Sequence, residues 1–213
     1  MPMIITSISE WRKGKYLISL NDEPAFALYR SEIRRFNLKK GEELDQVTYE
    51  QIVNEVLLKR ANSRTLHILD RYDKTEKELR DKLKEGMYPA EVIDAAVDAA
   101  KRGKYLDDLR YAVQYIYEKS YRKSRRMIEA DLLNKGVSKE CIEKALMKNT
   151  EDNEENGSDP ESALILRLIK KRCPEPDEID QESEQKLYRY LTGKGFEFGR
   201  IKRIVSLYRE GSI

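Results

Sequence analysis

Histidine occurs once in the 213 residues, at His67, and cysteine twice, at Cys141 and Cys173, with no CxxC spacing. A structural zinc site takes four ligands of these types, and Cys–His catalysis would have to join distant parts of the chain. Ordinary packing is therefore the expectation for all three residues, with no metal. Neither GxxxxGK followed by Ser or Thr nor GxGxxG is present, so no phosphate-cradling loop is visible and no cofactor is expected. The longest aliphatic stretch, Ala163-Leu164-Ile165-Leu166, stops at Arg167, whereas roughly 18 consecutive apolar residues are needed to cross a bilayer. Met1-Pro2-Met3-Ile4-Ile5 has no basic flank leading into an apolar run, so neither a secretory signal nor a membrane partner is expected, and the cytoplasm is the expected location. Nothing in this inventory argues for an enzyme.

Charge is abundant. Lys and Arg number 41 and Asp and Glu 39, a net of +2, with 38% of positions charged and 39% hydrophobic. That hydrophobic share suits thin units joined in series better than one thick globule, so an elongated, mainly α molecule is expected, as a monomer. The first 47 residues differ from the rest. Tyr16, Ile18 and Leu20 alternate with less apolar positions, then Asn21-Asp22-Glu23-Pro24 offers a turn before Ala25-Phe26-Ala27-Leu28-Tyr29, which predicts a small β-hairpin extension. Ile4 to Ile8 is available as a third strand, and Ser31 as the cap of a short helix ending at Gly41.

Beyond residue 47 the punctuation is helical. Thr48 with Gln51 and Thr75 with Glu78 match the capping box, and Asp159-Pro160 is another start signal. Leu79, Leu83, Met87, Ile93 and Val97 recur in register as Ile128, Leu132, Gly136, Ile142 and Leu146, and again as Leu187, Leu191, Gly195, Ile201 and Val205. Each copy reads as two apolar positions on one helix, a stop, and two on the next helix. Lys135-Gly136 and Lys194-Gly195 supply left-handed stops, while copy one places its glycine, Gly86, one residue early. A further amphipathic helix precedes each pair, over 48–72, 107–120 and 160–172. The prediction is three tandem three-helix repeats, over 48–104, 105–149 and 159–213. Residues 150–158, Thr-Glu-Asp-Asn-Glu-Glu-Asn-Gly-Ser, contain nothing apolar and read as a solvated acidic linker. A second loop, Cys173 to Glu178, separates helices inside repeat three.

Binding chemistry is sought in the basic clusters: Lys101, Arg102 and Lys104; Arg122, Lys123, Arg125 and Arg126; Lys170, Lys171 and Arg172; and Arg200, Lys202 and Arg203. A single charge run is usually a solvated helix face. Together, with acidic residues gathered in the linker and the loop after Cys173, the clusters predict a positive surface on repeats two and three. Tyrosine occurs 13 times, and Tyr105, Tyr111, Tyr115, Tyr117 and Tyr121 interleave with the basic residues of repeat two. That mixture suits single-stranded nucleic acid or a protein interface, although Tyr111 and Tyr115, four apart, fit the core. The Asp107-Asp108 pair directly precedes a helix, where carboxylates complement the dipole, and no second acidic pair converges on it.

These residues resemble the RecX family of bacterial regulatory proteins. The resemblance rests on the three repeats, on Glu78-Leu79-Arg80-Asp81-Lys82-Leu83, on Lys104-Tyr105-Leu106-Asp107-Asp108-Leu109-Arg110-Tyr111-Ala112, and on Ile128 through Leu132 to Lys135-Gly136-Val137. It covers most of the chain. It implies a non-enzymatic modulator, usually inhibitory, of the RecA recombinase, which lodges in the groove of the RecA filament on single-stranded DNA, and so a place in recombination, DNA repair and the SOS response. On that implication the thirteen basic residues above are the expected RecA or DNA contacts. The alternative is a helical-repeat protein that binds nucleic acid without RecA.

Overall fold

The computed structural model describes residues 2–157 and 159–213; Met1 and Ser158, the end of the expected linker, lie outside them, as does the Glu178 side chain in the expected second loop. Two units divide the chain, one ending at Asp107 and the other running from Asp108 to Ile213.

The first unit opens with strands β1 (Met3–Arg12), β2 (Lys15–Leu20) and β3 (Glu23–Tyr29). With the short β4 (Glu43–Leu44) they form an antiparallel sheet in the order β3-β2-β1-β4. The expected hairpin is thus the β2–β3 half of a larger sheet. Its turn residues Asn21 and Asp22 both adopt positive φ, +50° and +70°, the two-residue geometry that matches strand twist. The second hairpin, closed at Lys13-Gly14, escaped the sequence reading because Trp11 and Arg12 break the apolar alternation of β1.

Helix α1 (Arg30–Arg35) starts at Tyr29, not at Ser31, because the Glu32 carboxylate accepts from the Tyr29 amide at 2.7 Å and fixes the first turn there. A continuous helical rod follows as α2 (Gln46–Gln51), π-helical turns over Ile52–Leu57, and α3 (Leu58–Arg71). Its cap is Asp45, which accepts from the Thr48 amide at 2.9 Å and hydroxyl at 2.7 Å. Thr48 therefore lies inside the first turn, and the earlier carboxylate supersedes the expected Thr48–Gln51 box. Thr75 does cap α4 (Glu76–Lys84) in a complete capping box with Glu78, and α5 (Ala90–Arg102) completes repeat one. One core unites Ile5, Ile18, Phe26 and Leu28 of the sheet with Leu57, Leu79, Leu83, Ile93 and Val97 of the helices. A hairpin too small to be stable alone is in this way seated on repeat one.

The second unit holds α6 (Asp108–Lys119), α7 (Arg125–Asn134) and α8 (Lys139–Glu155), then α9 (Pro160–Arg172), α10 (Gln181–Gly193) and α11 (Phe198–Arg209). Each trio has its own core, around Ile116, Ile128, Leu132 and Ile142 in one and Ile165, Leu187, Leu191 and Ile201 in the other. Cys141 and Cys173 pack against these cores, one each. The acidic linker is the main correction: residues 150–155 continue α8 rather than forming a loop. Thr150 Oγ1 donates to the Leu146 carbonyl at 2.9 Å, Asn153 bonds Asn149 at 3.1 Å, and the chain turns only at Gly157, φ +60°. Lacking apolar residues prevents burial, not helicity. The loop after Cys173 is pinned, since the Tyr208 hydroxyl lies 3.1 Å from the Cys173 carbonyl and 2.6 Å from that of Pro174.

The repeat register holds throughout. All four apolar positions of every copy are buried, and the stop positions Met87, Gly136 and Gly195 have φ of +57°, +84° and +83°. Copy one therefore keeps the left-handed turn at the aligned position and lets methionine adopt it. Gly86 serves a different purpose, because a Cβ there would sit 2.7 Å from the ring of Tyr88.

Candidate functional site

The expected basic residues fall into two groups. Lys101 and Arg102 occupy the last turn of α5, and Lys170, Lys171 and Arg172 that of α9, where cations complement the negative end of the helix dipole. Lys101 is paired with Glu76 at 2.5 Å. Arg172 stacks 3.6 Å from the Tyr190 ring centroid and Lys170 lies 5.6 Å from that of Tyr208. Lys104 takes the left-handed position after α5, φ +58°. Local structure accounts for most of these residues.

The other group sits at helix starts. Arg125 and Arg126 open α7, while Arg200, Lys202 and Arg203 lie near the start of α11, and neither helix has an acidic residue in its first turn. A cation at a helix N-terminus is disfavoured by roughly 0.3–1 kcal/mol, so helix stability does not explain Arg125, Arg126 or Arg200; Lys202 and Arg203 lie one turn further on.

Within the second unit, repeats two and three meet at these starts. Ser124, the fully buried N-cap of α7, donates its hydroxyl to the Lys194 carbonyl at the end of α10, 2.7 Å away. The Arg125 amide donates to Glu161 at 2.9 Å, and Arg167 donates to the Tyr121 carbonyl at 2.8 Å. Arg200 bridges Asp159 at 2.9 Å and reaches Glu161 at 3.7 Å. Burial pushes the Asp159 carboxyl up, but Ser162's hydrogen bonds and the charges of Arg200 and Arg203 outweigh it and hold it below its ordinary value. A cleft of about 340 Å³ opens along this seam, lined by residues that include Lys123, Arg125, Asn153, Glu154 and Arg200. Its mixed signs leave no uniform charge for a small ion.

The seam thus separates structural from available cations. Lys123 is spent on Asp131, which also accepts from the Tyr115 hydroxyl at 2.9 Å. That contact, from Lys123 first and Tyr115 after it, holds the Asp131 carboxyl below its usual range against the burial that raises it. Arg125 pairs with Glu129 at 3.1 Å. Arg122, Arg126, Lys202 and Arg203 are exposed or partly so at or near the seam and make no ion pair among the described residues; Arg102 and Lys171 are likewise unpaired, elsewhere. Arg126 lies beside Gly195, whose Cβ position is 3.4 Å from the arginine's own Cβ.

Tyr111 and Tyr115 stack at 6.1 Å against the repeat-two core, as their spacing implied, whereas Tyr105, Tyr117 and Tyr121 are exposed. Sequence reasoning missed Arg167, an isolated basic residue in an apolar helix that latches the seam; its partner is a backbone carbonyl, which no sequence pattern marks.

Three successive family models match the chain: RecX, first three-helix domain, over residues 61–98; the second over 107–146; and the third over 159–205. The "Regulatory protein RecX" of Caldanaerobacter subterraneus subsp. tengcongensis is 33% identical over 207 residues, 96% of this chain and 100% of the relative. That of Clostridium botulinum strain Alaska E43 is 29% identical, covering 94% of each. A crystal structure of a regulatory protein RecX superposes with a TM-score of 0.62 at 28% identity, covering 96% of this chain and 98% of its own. RecX from Lactobacillus salivarius gives 0.63 at 20% identity, over 71% and 96%, a likeness of fold. The matched domains begin after the N-terminal sheet.

Proposed function

The chain belongs to the RecX family of regulatory proteins, and from that premise we propose that it binds the RecA filament on single-stranded DNA and restrains RecA's ATP hydrolysis and strand exchange by occupying the filament groove. No covalent chemistry is involved. The observation that carries this reading is the set of exposed cations Arg122, Arg126, Lys202 and Arg203 at or near the junction of repeats two and three, which make no ion pair among the described residues. Arg122, Arg126, Lys202 and Arg203 are the contacts to the polyanion or to acidic RecA surface, while Arg125, through its amide, Arg167 and Arg200 hold the seam that spaces them.

The test adds the purified chain to RecA on single-stranded DNA and follows ATP hydrolysis and filament length together. Inhibition with filament shortening is expected. The variant Arg122→Ala/Arg126→Ala/Lys202→Ala/Arg203→Ala should need at least tenfold more protein for half-inhibition with its helicity unchanged. Undiminished inhibition would remove the seam as the contact, and a wild-type chain without effect on RecA would remove the proposal.

A further inference from the structure

The free end of the N-terminal sheet carries a second concentration of positive charge, outside the three family domains. Residues 11–16 read Trp-Arg-Lys-Gly-Lys-Tyr and residues 29–35 Tyr-Arg-Ser-Glu-Ile-Arg-Arg, six cations against one carboxylate, Glu32. Glu32 is taken up by Arg60, Arg35 is itself paired with Glu55, and the neighbouring Glu10 faces the Gly14 amide at 3.5 Å. Strand register sets the two segments side by side. Arg12 lies opposite Lys15, and Lys15 opposite Tyr29, so three adjacent strands align these side chains on one face, away from the Ile18, Phe26 and Leu28 core.

The rings here are paired with cations. The Arg12 guanidinium is 4.2 Å from the Trp11 ring centroid, and Lys15 and Arg60 are 4.9 and 4.8 Å from that of Tyr29; Arg30, 5.8 Å from the ring of Tyr16, belongs to the opposite face, where Tyr16 lies across from Leu28. The register shift between Glu10 and Arg12 brings the consecutive Trp11 and Arg12 together, as a bulge re-aims side chains. Tyr29 remains 42% exposed. Packing does not call for a half-exposed Trp11 and an exposed Tyr29 set beside guanidinium and ammonium groups. This grouping offers flat faces to bases and charges to the phosphates between them.

We propose that this end of the sheet is a binding site for single-stranded nucleic acid that operates without RecA, with Trp11 and Tyr29 meeting bases and Arg12, Lys13 and Lys15 meeting phosphates. It goes beyond the filament reading, which places its contacts on repeats two and three. An acidic peptide would use the cations but leave the rings idle.

Trp11 is the chain's single tryptophan, so the native protein carries its own reporter. Titration of the full chain with an oligothymidylate, RecA absent, should change Trp11 emission saturably. The affinity should fall with salt by a log–log slope of about 0.7 per phosphate neutralised. Arg12→Ala/Lys13→Ala/Lys15→Ala should weaken binding at least tenfold and flatten that slope, while the seam variant named above should retain the response. Tyr29→Leu, which keeps every charge, should weaken it threefold or more. A silent Trp11, equal affinity in the sheet variant, no loss with Tyr29→Leu, or a matching response to polyglutamate would each overturn the proposal. Because RecA is absent, such a result leaves the filament reading to its own test.

Discussion

Replacing Ser124 by alanine isolates the bond between repeats two and three. The residue is fully buried, and its hydroxyl has two duties: it accepts from the Met127 amide at a long 3.4 Å and donates to the Lys194 carbonyl at 2.7 Å. Losing an N-cap costs about 1 kcal/mol, and losing the hydrogen bond to the part-buried Lys194 carbonyl adds about 0.5–1.5 kcal/mol. The expected loss for Ser124→Ala is therefore about 1.5–2.5 kcal/mol. Ser138 is the internal control, an exposed N-cap of α8 whose side chain accepts from the Cys141 amide at 3.2 Å. Ser138→Ala should cost only about 1 kcal/mol. Urea unfolding followed by far-UV circular dichroism reads both, fitted to the transition each variant shifts, since two units need not unfold together. Equal losses in the two variants would refute the claim that the seam bond stabilises this unit.

Three further outcomes are expected. Gly195→Ala must place a Cβ at φ +83° and 2.9 Å from Ser124 Oγ, whereas Gly41→Ala at φ +87° meets nothing within 4 Å; in thermal melts the first should lose more than the second, whose cost is about 1–2 kcal/mol. Met87→Gly relieves a methionine at φ +57° and should raise the first unit's free energy of unfolding, measured in urea, by about 1 kcal/mol, less whatever packing the side chain contributes. Asp159, held below its ordinary value of 3.8, contributes stability that is complete above that value and lost as pH falls through its lower folded one. Asp159→Asn keeps a competent cap and should flatten acid unfolding below about pH 4, and an unchanged acid limb would remove the carboxylate from the seam's electrostatics.

The repeat register was legible because apolar spacing is local: Leu79 and Leu83 share one helix face, Ile93 and Val97 the next, and burial follows wherever such a face must be covered. What stayed hidden involves partners distant in sequence. Arg200 meets Asp159 and Lys101 meets Glu76 across helices, so composition placed these cations on a positive surface when local pairing had claimed them. The Met87 stop was hidden for another reason. Glycine is favoured at positive φ but not required, and Gly86 is retained because Tyr88 packs where its Cβ would be. Helix 150–155 shows the same limit, since the missing apolar residues bear on burial, while α8 runs on to Glu155 with the side chains of Thr150 and Asn153 bonded back to the preceding turn.

The helix stop and the seam are one device. A helix that ends in a left-handed residue folds its last carbonyls back toward the turn, and in repeat three the Lys194 carbonyl is thereby left to the Ser124 hydroxyl of repeat two. Gly195, with no side chain, lets Arg126 approach it. The residue that ends α10 therefore also sets how closely α7 can approach, and with it the spacing of Arg126 from the start of α11. Cations held at fixed separation can match a regularly spaced polyanion, whereas the same charges on independent helices would have to be ordered on binding at an entropic cost. On this argument Gly195→Ala should impair filament inhibition even though it removes no charge, and it should do so more than Lys202→Ala, which removes one. The reverse order would show that charge alone, without seam geometry, governs the effect on RecA.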